Sequence, residues 1–476
     1  MVHRVGPEMT TAAPTLPRAV SAWNIGGASV GVAPPASPTR QKMLAGSPRH
    51  RVFRGFSRAI YGAFVCVGLA SWVVMNATFV ELGYFLLHFP EGLATSAYTV
   101  FAFQTANIYP IFYMWLRPSC SVVSVGSAVW ICLVSTLLVC ACFTCFWSQT
   151  ADIDGKEHSL AMLLLSHIGG TISGATNIIF FRYIIAFPPV YASAFMTGEL
   201  ISGVLIGLLG LWQAPYKNPP QLSVSAFYAV AVATILTSIV AFGYLEFHPK
   251  SIEEREQMTV DRLHTSVEKY DGTDPTGYEE EAVCTLPDIP KDEPNTLRNE
   301  VFLVFWKELL AQAVLAALYY SVLPSLVPFL FARYSSDALA AEYLTFAITS
   351  LLIADPLIQL TTSCLRVDCL FVGFCVLLLT VSSAFLLVST FIPNPPASAD
   401  HNNGFLLPLI LYVFAQSLHS LTQATLALMI KDRAFHPQDT RFACAASHWS
   451  SFCIQSGALV GAIAIFPTVL ISFWQE

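Results

Sequence analysis

The stretch SWVVMNATFVELGYFLLHFPEG, Ser71 to Gly92, decides the fold class. It is apolar over most of its length, too long and too even for a strand, and so reads as helix in lipid. Yet it carries Trp72, Asn76 and Glu81. An ionisable side chain at the bilayer centre costs roughly 2.5–3.5 kcal/mol on insertion scales, so polar groups kept at depth are candidates for function. At about 1.5 Å per residue, Trp72 and Asn76 lie roughly 21–27 Å into the span and Glu81 roughly 35 Å, near its far edge. Trp72 and Asn76 share a helix face, whereas Glu81 points away from both unless the chain bends near it.

The rest of the chain agrees with a membrane protein. Its 476 residues are 55% hydrophobic and 12% charged, with a mean hydropathy of +0.59, where soluble domains carry about 25% charged residues. Apolar runs of spanning length are expected at 58–82, 95–116, 121–147, 159–183, 190–212, 223–246, 300–330, 339–363, 368–392, 404–430 and 442–472. This pattern predicts an all-α polytopic membrane protein of about eleven transmembrane helices in two bundles, six and five. Arg58, Arg117, Arg182, Arg366, Lys431 and Arg433 fall on one side, and Lys156, Lys217 and Arg333 on the other. That bias puts the N-terminus in the cytoplasm and the C-terminus outside.

Residues 1–57, rich in Ala, Pro, Ser and Arg, are expected to form a disordered cytoplasmic tail; residues 58–246 are the N-terminal six-helix bundle. The 247–299 stretch holds thirteen acidic residues against six basic ones, the whole net charge of −7, and is expected to be an acidic disordered cytoplasmic loop acting as a tether. Residues 300–476 are the five-helix C-terminal bundle. No segment is basic and aromatic enough for nucleic acid. Most of the twelve cysteines sit in apolar runs, so no disulfide framework is expected, and Cys140 to Cys145 read as helix packing, not metal ligands.

Further polar residues sit at depth. Gln104 and Asn107 lie three apart on the second span ahead of Pro110, which interrupts the helix. Asn177 lies on the fourth span, and Glu199 lies on the fifth, roughly 14 Å from its start. Tyr319 and Tyr320 precede Pro324, and Asp355 directly precedes Pro356. His419 and Gln423 share a face of the tenth span, where a satisfied helix contact is the plainer reading. Together these residues describe a cavity uncharged in the main, of amides, hydroxyls and rings, suited to a planar ligand with hydrogen-bonding edges. No HExxH, GxSxG or paired intramembrane aspartates are present, so no enzyme is expected.

The motifs in order resemble those of the eukaryotic riboflavin transporters, solute carrier family 52. Ser71-Trp72, Asn76, Val80-Glu81-Leu82 and Phe89-Pro90-Glu91-Gly92 match the family's first span, and QTANIYP (Gln104–Pro110) its second. ATNIIFF (Ala175–Phe181) and GELISG (Gly198–Gly203) match the fourth and fifth; SVLPS (Ser321–Ser325), ADPL (Ala354–Leu357) and GALVGAIAIFP (Gly457–Pro467) match the seventh, eighth and eleventh. Departures are Gly83 where the family has proline, Arg182 where it tends to proline, and Asp355 where it tends to asparagine. A bend near Glu81 then rests on Gly83.

The resemblance implies facilitative, sodium-independent riboflavin uptake across the plasma membrane by alternating access, with pH sensitivity in some members. Riboflavin is then cargo and no cofactor is needed; lipid is the surround, and the chain is expected to work as a monomer. Trp72 offers a ring to the isoalloxazine, Asn76 and Asn107 bond ring edges or the ribityl chain, and Glu199 or Glu81 is an anchor or protonatable switch. The alternatives are a carrier of another planar nucleoside-like or vitamin solute, or a receptor that does not transport.

Overall fold

The computed structural model describes residues 57–116, 124–270, 295–362, 369–392, 406–434 and 440–473. The chain begins with α1 (Arg58–Gly68) and α2 (Val73–His88), then a 3-10 turn at Gly92–Ala94, α3 (Thr95–Thr105) and α4 (Ile108–Leu116). After α5 (Val125–Phe146) a small hairpin, β1 (Ala151–Ile153) against β2 (Lys156–His158), precedes α6 (Leu160–Ile184), α7 (Val190–Gln213) and α8 (Val224–Phe247). Then come α9 (Pro249–Tyr270), α10 (Asn295–Ala317), a π-helical turn at Leu318–Val322 and α11 (Leu323–Tyr334). The chain closes with α12 (Asp337–Thr362), α13 (Cys369–Phe391), α14 (Leu406–Ala434) and α15 (Thr440–Phe473). Among the described residues eight helices are long and apolar enough to cross a membrane, counting α10 through α11 as one, and the bent pair of α1 and α2 makes a ninth.

The bend in the first span is not near Glu81. The chain turns by 45° between α1 and α2, ahead of Trp72, where Ala70 and Ser71 donate to Val67 and Gly68 in tight turns. Glu81 and Gly83 lie inside unbroken helix. The glycine serves close approach instead: a methyl added at Gly83 would stand 2.1 Å from the Thr345 hydroxyl of α12. The interruption at Pro110 is present, as the break between α3 and α4 at Ala106–Asn107. The stretch expected to be a loose acidic tether contains α9, which begins on Pro249; Ser251 is buried and bonds the Leu245 carbonyl. Residues 271–294, and the tail up to 56, lie outside the described residues.

Within the first half, α1 packs against α7 through Gly68 and Gly198. An added methyl on either would approach Phe195 or Val65 carbonyl oxygen to 2.2 or 2.0 Å. Around that crossing Phe64 stacks on Tyr191 at 5.4 Å and meets Phe187 edge to face at 5.0 Å, and Phe143 of α5 stacks on Tyr228 of α8 at 4.5 Å. The Tyr228 hydroxyl meets Thr78 of α2 at 3.0 Å, which ties α8 to the span that carries the diagnostic polar residues.

The two halves touch through named contacts that sit toward one end. Gly207 and Gly210 of α7 face Leu352 and Thr349 of α12. Ser96 donates to the Pro324 carbonyl at 2.7 Å, and Phe466 of α15 packs on Tyr98 and Phe101 of α3 at 4.9 and 4.3 Å. At the other end, the bonds described stay within a half: Ser57 to Tyr191, Tyr191 to Glu254, Tyr183 to Glu246, and Arg433 to Glu308.

Gly198→Ala should destabilise the protein by about 1–3 kcal/mol, because it forces α1 off α7. Gly62→Ala, with nothing within 4 Å of the new methyl, should be neutral or stabilising by up to about 1 kcal/mol. Thermal unfolding in detergent compares the two; equal midpoints would show that the α1–α7 crossing is not tight.

Candidate functional site

The first wall of the site is set by the bend before α2. Ending α1 at Gly68 puts Trp72 at the cap of α2 and Asn76 one turn on, both half-buried. The Asn76 amide points toward Gly203 of α7, where an added methyl would lie 3.9 Å from Nδ2 and 3.5 Å from the Leu352 carbonyl of α12. Glu199, one turn before Gly203, faces Ser71 and Trp72. The Ser202 hydroxyl, on the same stretch of α7, is buried without a hydrogen-bond partner. Trp72, Asn76 and Glu199 are thus brought together, on the facing sides of α2 and α7.

The break between α3 and α4 supplies the next two residues. The Gln104 Nε2 donates to the Tyr320 carbonyl of the π-helical turn at 3.1 Å, and its Oε1 accepts from Asn107 Nδ2 at 2.8 Å. Gln104 is buried and spent on joining the halves, whereas Asn107 stays half-buried. Asn177 is placed on α6, but its side chain lies outside the described residues.

The second wall comes from the π-helical turn, α12 and α14. A π-turn inserts one residue into the helix, a feature frequent at functional sites. Here it sends Tyr319 and Tyr320 in different directions. Tyr319 is buried, its hydroxyl meeting Ser383 of α13 at 2.6 Å and its carbonyl accepting from Gln416 at 3.2 Å. Tyr320 is 40% exposed and sets its edge on the His419 ring. Asp355, half-buried on α12, faces Tyr320 and Ser420.

Glu81 stands apart from this group. It is fully buried, with Oε1 accepting from Gln213 Nε2 at 2.7 Å, while Gln213 also donates to the Leu222 carbonyl at 3.1 Å. Sequence reasoning missed Gln213, a polar residue on the last turn of its helix and 132 positions from its partner. It also missed Gln312 and Ser450, which join Gln423 in a cluster: Ser450 donates to Gln312 Oε1 at 2.8 Å and Gln423 to the Gln312 carbonyl at 3.1 Å; Gln416, which donates to the Tyr319 carbonyl, was missed as well. The signal was present, since amides recur on α10, α14 and α15 amid apolar neighbours.

The arrangement offers two ring faces, Trp72 and Tyr320, flanked by amides and carboxylates on both walls. It can bind a flat solute by its faces and edges. It holds no arrangement of nucleophile and base, and among the described residues no group of three or more His, Cys, Asp or Glu is placed to hold a metal. Cys140 is buried, Cys142 half-buried and Cys145 exposed, so they do not converge.

Comparison with known proteins bears on the whole chain. The model of solute carrier family 52, riboflavin transporter, matches residues 58–217 and 211–475. A relative in Bos taurus, solute carrier family 52, riboflavin transporter, member 3, is 23% identical over 462 residues, covering 85% of this chain and 94% of that one. The Caenorhabditis elegans riboflavin transporter rft-1 is 21% identical, covering 86% and 95%. Among solved structures, a D-xylose–proton symporter superposes with a TM-score of 0.52 at 13% identity, covering 87% of this chain and 90% of that one. The nucleoside transporter NupG gives 0.51 at 11%, covering 87% and 92%. These two show a shared transporter fold.

Glu81→Gln keeps a partner for Gln213 and should leave stability within about 1 kcal/mol, whereas Glu81→Leu strands the buried amide and should cost about 1–3 kcal/mol. Melting of the two purified variants decides; equal loss in both would mean the charge, not the hydrogen bond, matters.

Proposed function

We propose that this chain, which belongs to solute carrier family 52 (riboflavin transporter), carries riboflavin across the plasma membrane by facilitative, sodium-independent alternating access. One observation carries this proposal: the family match runs from 58 to 475 and takes in both walls of the site. Riboflavin is the cargo, no cofactor takes part, no bond is made or broken, and the working unit is a single chain in lipid. Nucleic acid has no role.

The helix order supports a topology of eleven crossings. The crossings are α1 with α2, α3 with α4, and α5 to α8 in the first half, then α10 with α11, and α12 to α15 in the second. That is six and five, joined by the segment that begins with α9. Arg58, Lys250, Arg255 and Arg433 gather at one end and Lys156, Lys217 and Arg333 at the other, which supports a cytoplasmic N-terminus and an outer C-terminus. In that orientation the contacts of Gly83 and Ser96 lie toward the outer side.

Cargo recognition falls to the half-exposed residues. Trp72 and Tyr320 take the faces of the isoalloxazine. Asn76, Asn107 and Asp355 take its edges or the ribityl hydroxyls, and Glu199 anchors from α7. Glu81, Gln104 and Tyr319, all buried and bonded, hold the frame. A few hydrogen bonds of about 0.5–1.5 kcal/mol net each give an affinity moderate enough for release.

The test is uptake of labelled riboflavin into cells lacking their own carrier. Saturable uptake that lumiflavin blocks and adenosine does not is the expected outcome. Asn76→Ala should raise the half-saturation about fivefold at unchanged surface abundance. Adenosine-sensitive flux without riboflavin flux contradicts the proposal in favour of a nucleoside-like cargo, and riboflavin binding without flux contradicts it in favour of a receptor.

A further inference from the structure

His419 is 2% exposed, and neither of its ring nitrogens has a hydrogen-bond partner. A buried imidazole carries one N–H and one lone pair, and leaving both unmade is a standing cost that leucine or methionine would not incur. Its ring is nonetheless held in a defined plane. It stacks on Tyr319 at 4.4 Å with an 8° interplanar angle, and Tyr320 closes over it edge-on at 5.2 Å and 82°.

The two tyrosines differ in freedom. Tyr319 is pinned through its hydroxyl to Ser383 and through its carbonyl to Gln416. Tyr320 is partly exposed, and its carbonyl is held across the gap by Gln104 of the other half. When the halves part at this end, that bond breaks. The carbonyl that Gln104 holds lies in the π-helical turn itself, a feature frequent at functional sites. Ser420, the next residue on α14, and Tyr320 both face Asp355 of α12.

We infer that His419 is a cargo-binding residue, covered by Tyr320 in the closed arrangement and uncovered when the halves part, whose ring nitrogen accepts a hydrogen bond from the N3–H edge of the flavin. Imidazole lone pairs lie in the ring plane, so a flavin edge bonded there is coplanar with His419 and extends the stack that Tyr319 begins. The inference rests on the riboflavin-carrier proposal and adds a residue and a recognised edge to it.

Uptake kinetics of wild type, His419→Leu and His419→Gln in carrier-deficient cells test it, with surface abundance measured in parallel and riboflavin methylated at N3 as competitor. The leucine variant should show KM raised about tenfold with its maximal rate kept and its melting point no lower than wild type. It should also lose the wild type's discrimination against the methylated flavin. Glutamine, which keeps a donor and an acceptor, should restore most of the affinity. His419→Met serves the same comparison if leucine fails to reach the surface. Wild-type KM and discrimination in the apolar variant overturn the inference and leave the carrier proposal standing. Absence of saturable riboflavin uptake by surface-localised wild type overturns both.

Discussion

Gly83 of α2 lies so close to α12 that an added methyl would sit 2.1 Å from the Thr345 hydroxyl, and Gly207 and Gly210 of α7 continue the same contact against Leu352 and Thr349. The rest of the molecule depends on this approach. It draws Asn76 and Glu199 on one side toward Asp355 and Tyr320 on the other. The hydroxyls of Thr345 and Thr349 bond carbonyls of their own helix, at 2.9 and 2.7 Å, so none is spent across this seam. Between helices in lipid, where burial of apolar surface gives little driving force, close packing of small residues holds the contact. A contact of that kind can be made and unmade without stranding polar groups.

The polar groups that do cross the gap are few and carry information. Ser96 and Gln104 each donate to a carbonyl of the opposite half, both carbonyls belonging to the segment around the π-helical turn. This segment is therefore where, among the described residues, the second half accepts hydrogen bonds from the first. Buried polar atoms without a partner occur at Ser202 of α7 and His419 of α14, and also away from the walls, at Glu81, Gln213 and Ser389. Each unmade bond costs about 1–3 kcal/mol.

Much of this architecture was legible in the sequence because lipid imposes a length rule. The expected spans at 190–212 and 223–246 correspond to Val190–Gln213 and Val224–Phe247, and the break at Pro110 has a local cause. What failed was long-range. A glycine in a helix reads equally as a bend or as a place of close approach, and only the partner helix decides; for Gly83 the partner is 262 residues away in number, at Thr345. The bend lies instead at Leu69–Trp72. Glu81 was legible as a polar group at depth, but its amide partner, Gln213, lies too far along the chain to be read. Composition masked the helix at Pro249–Tyr270 in a stretch dominated by charge. His419 was visible as a polar residue on an apolar face, but whether its nitrogens are paired is a property of packing alone.

The most direct measurement is counterflow in liposomes holding only the purified protein. Vesicles preloaded with unlabelled riboflavin and diluted into labelled riboflavin should transiently accumulate label above equilibrium, since a site that alternates between two sides exchanges one molecule for another. Label that binds saturably to the protein without entering the preloaded vesicles would contradict a carrier whose halves open and close around a shared site.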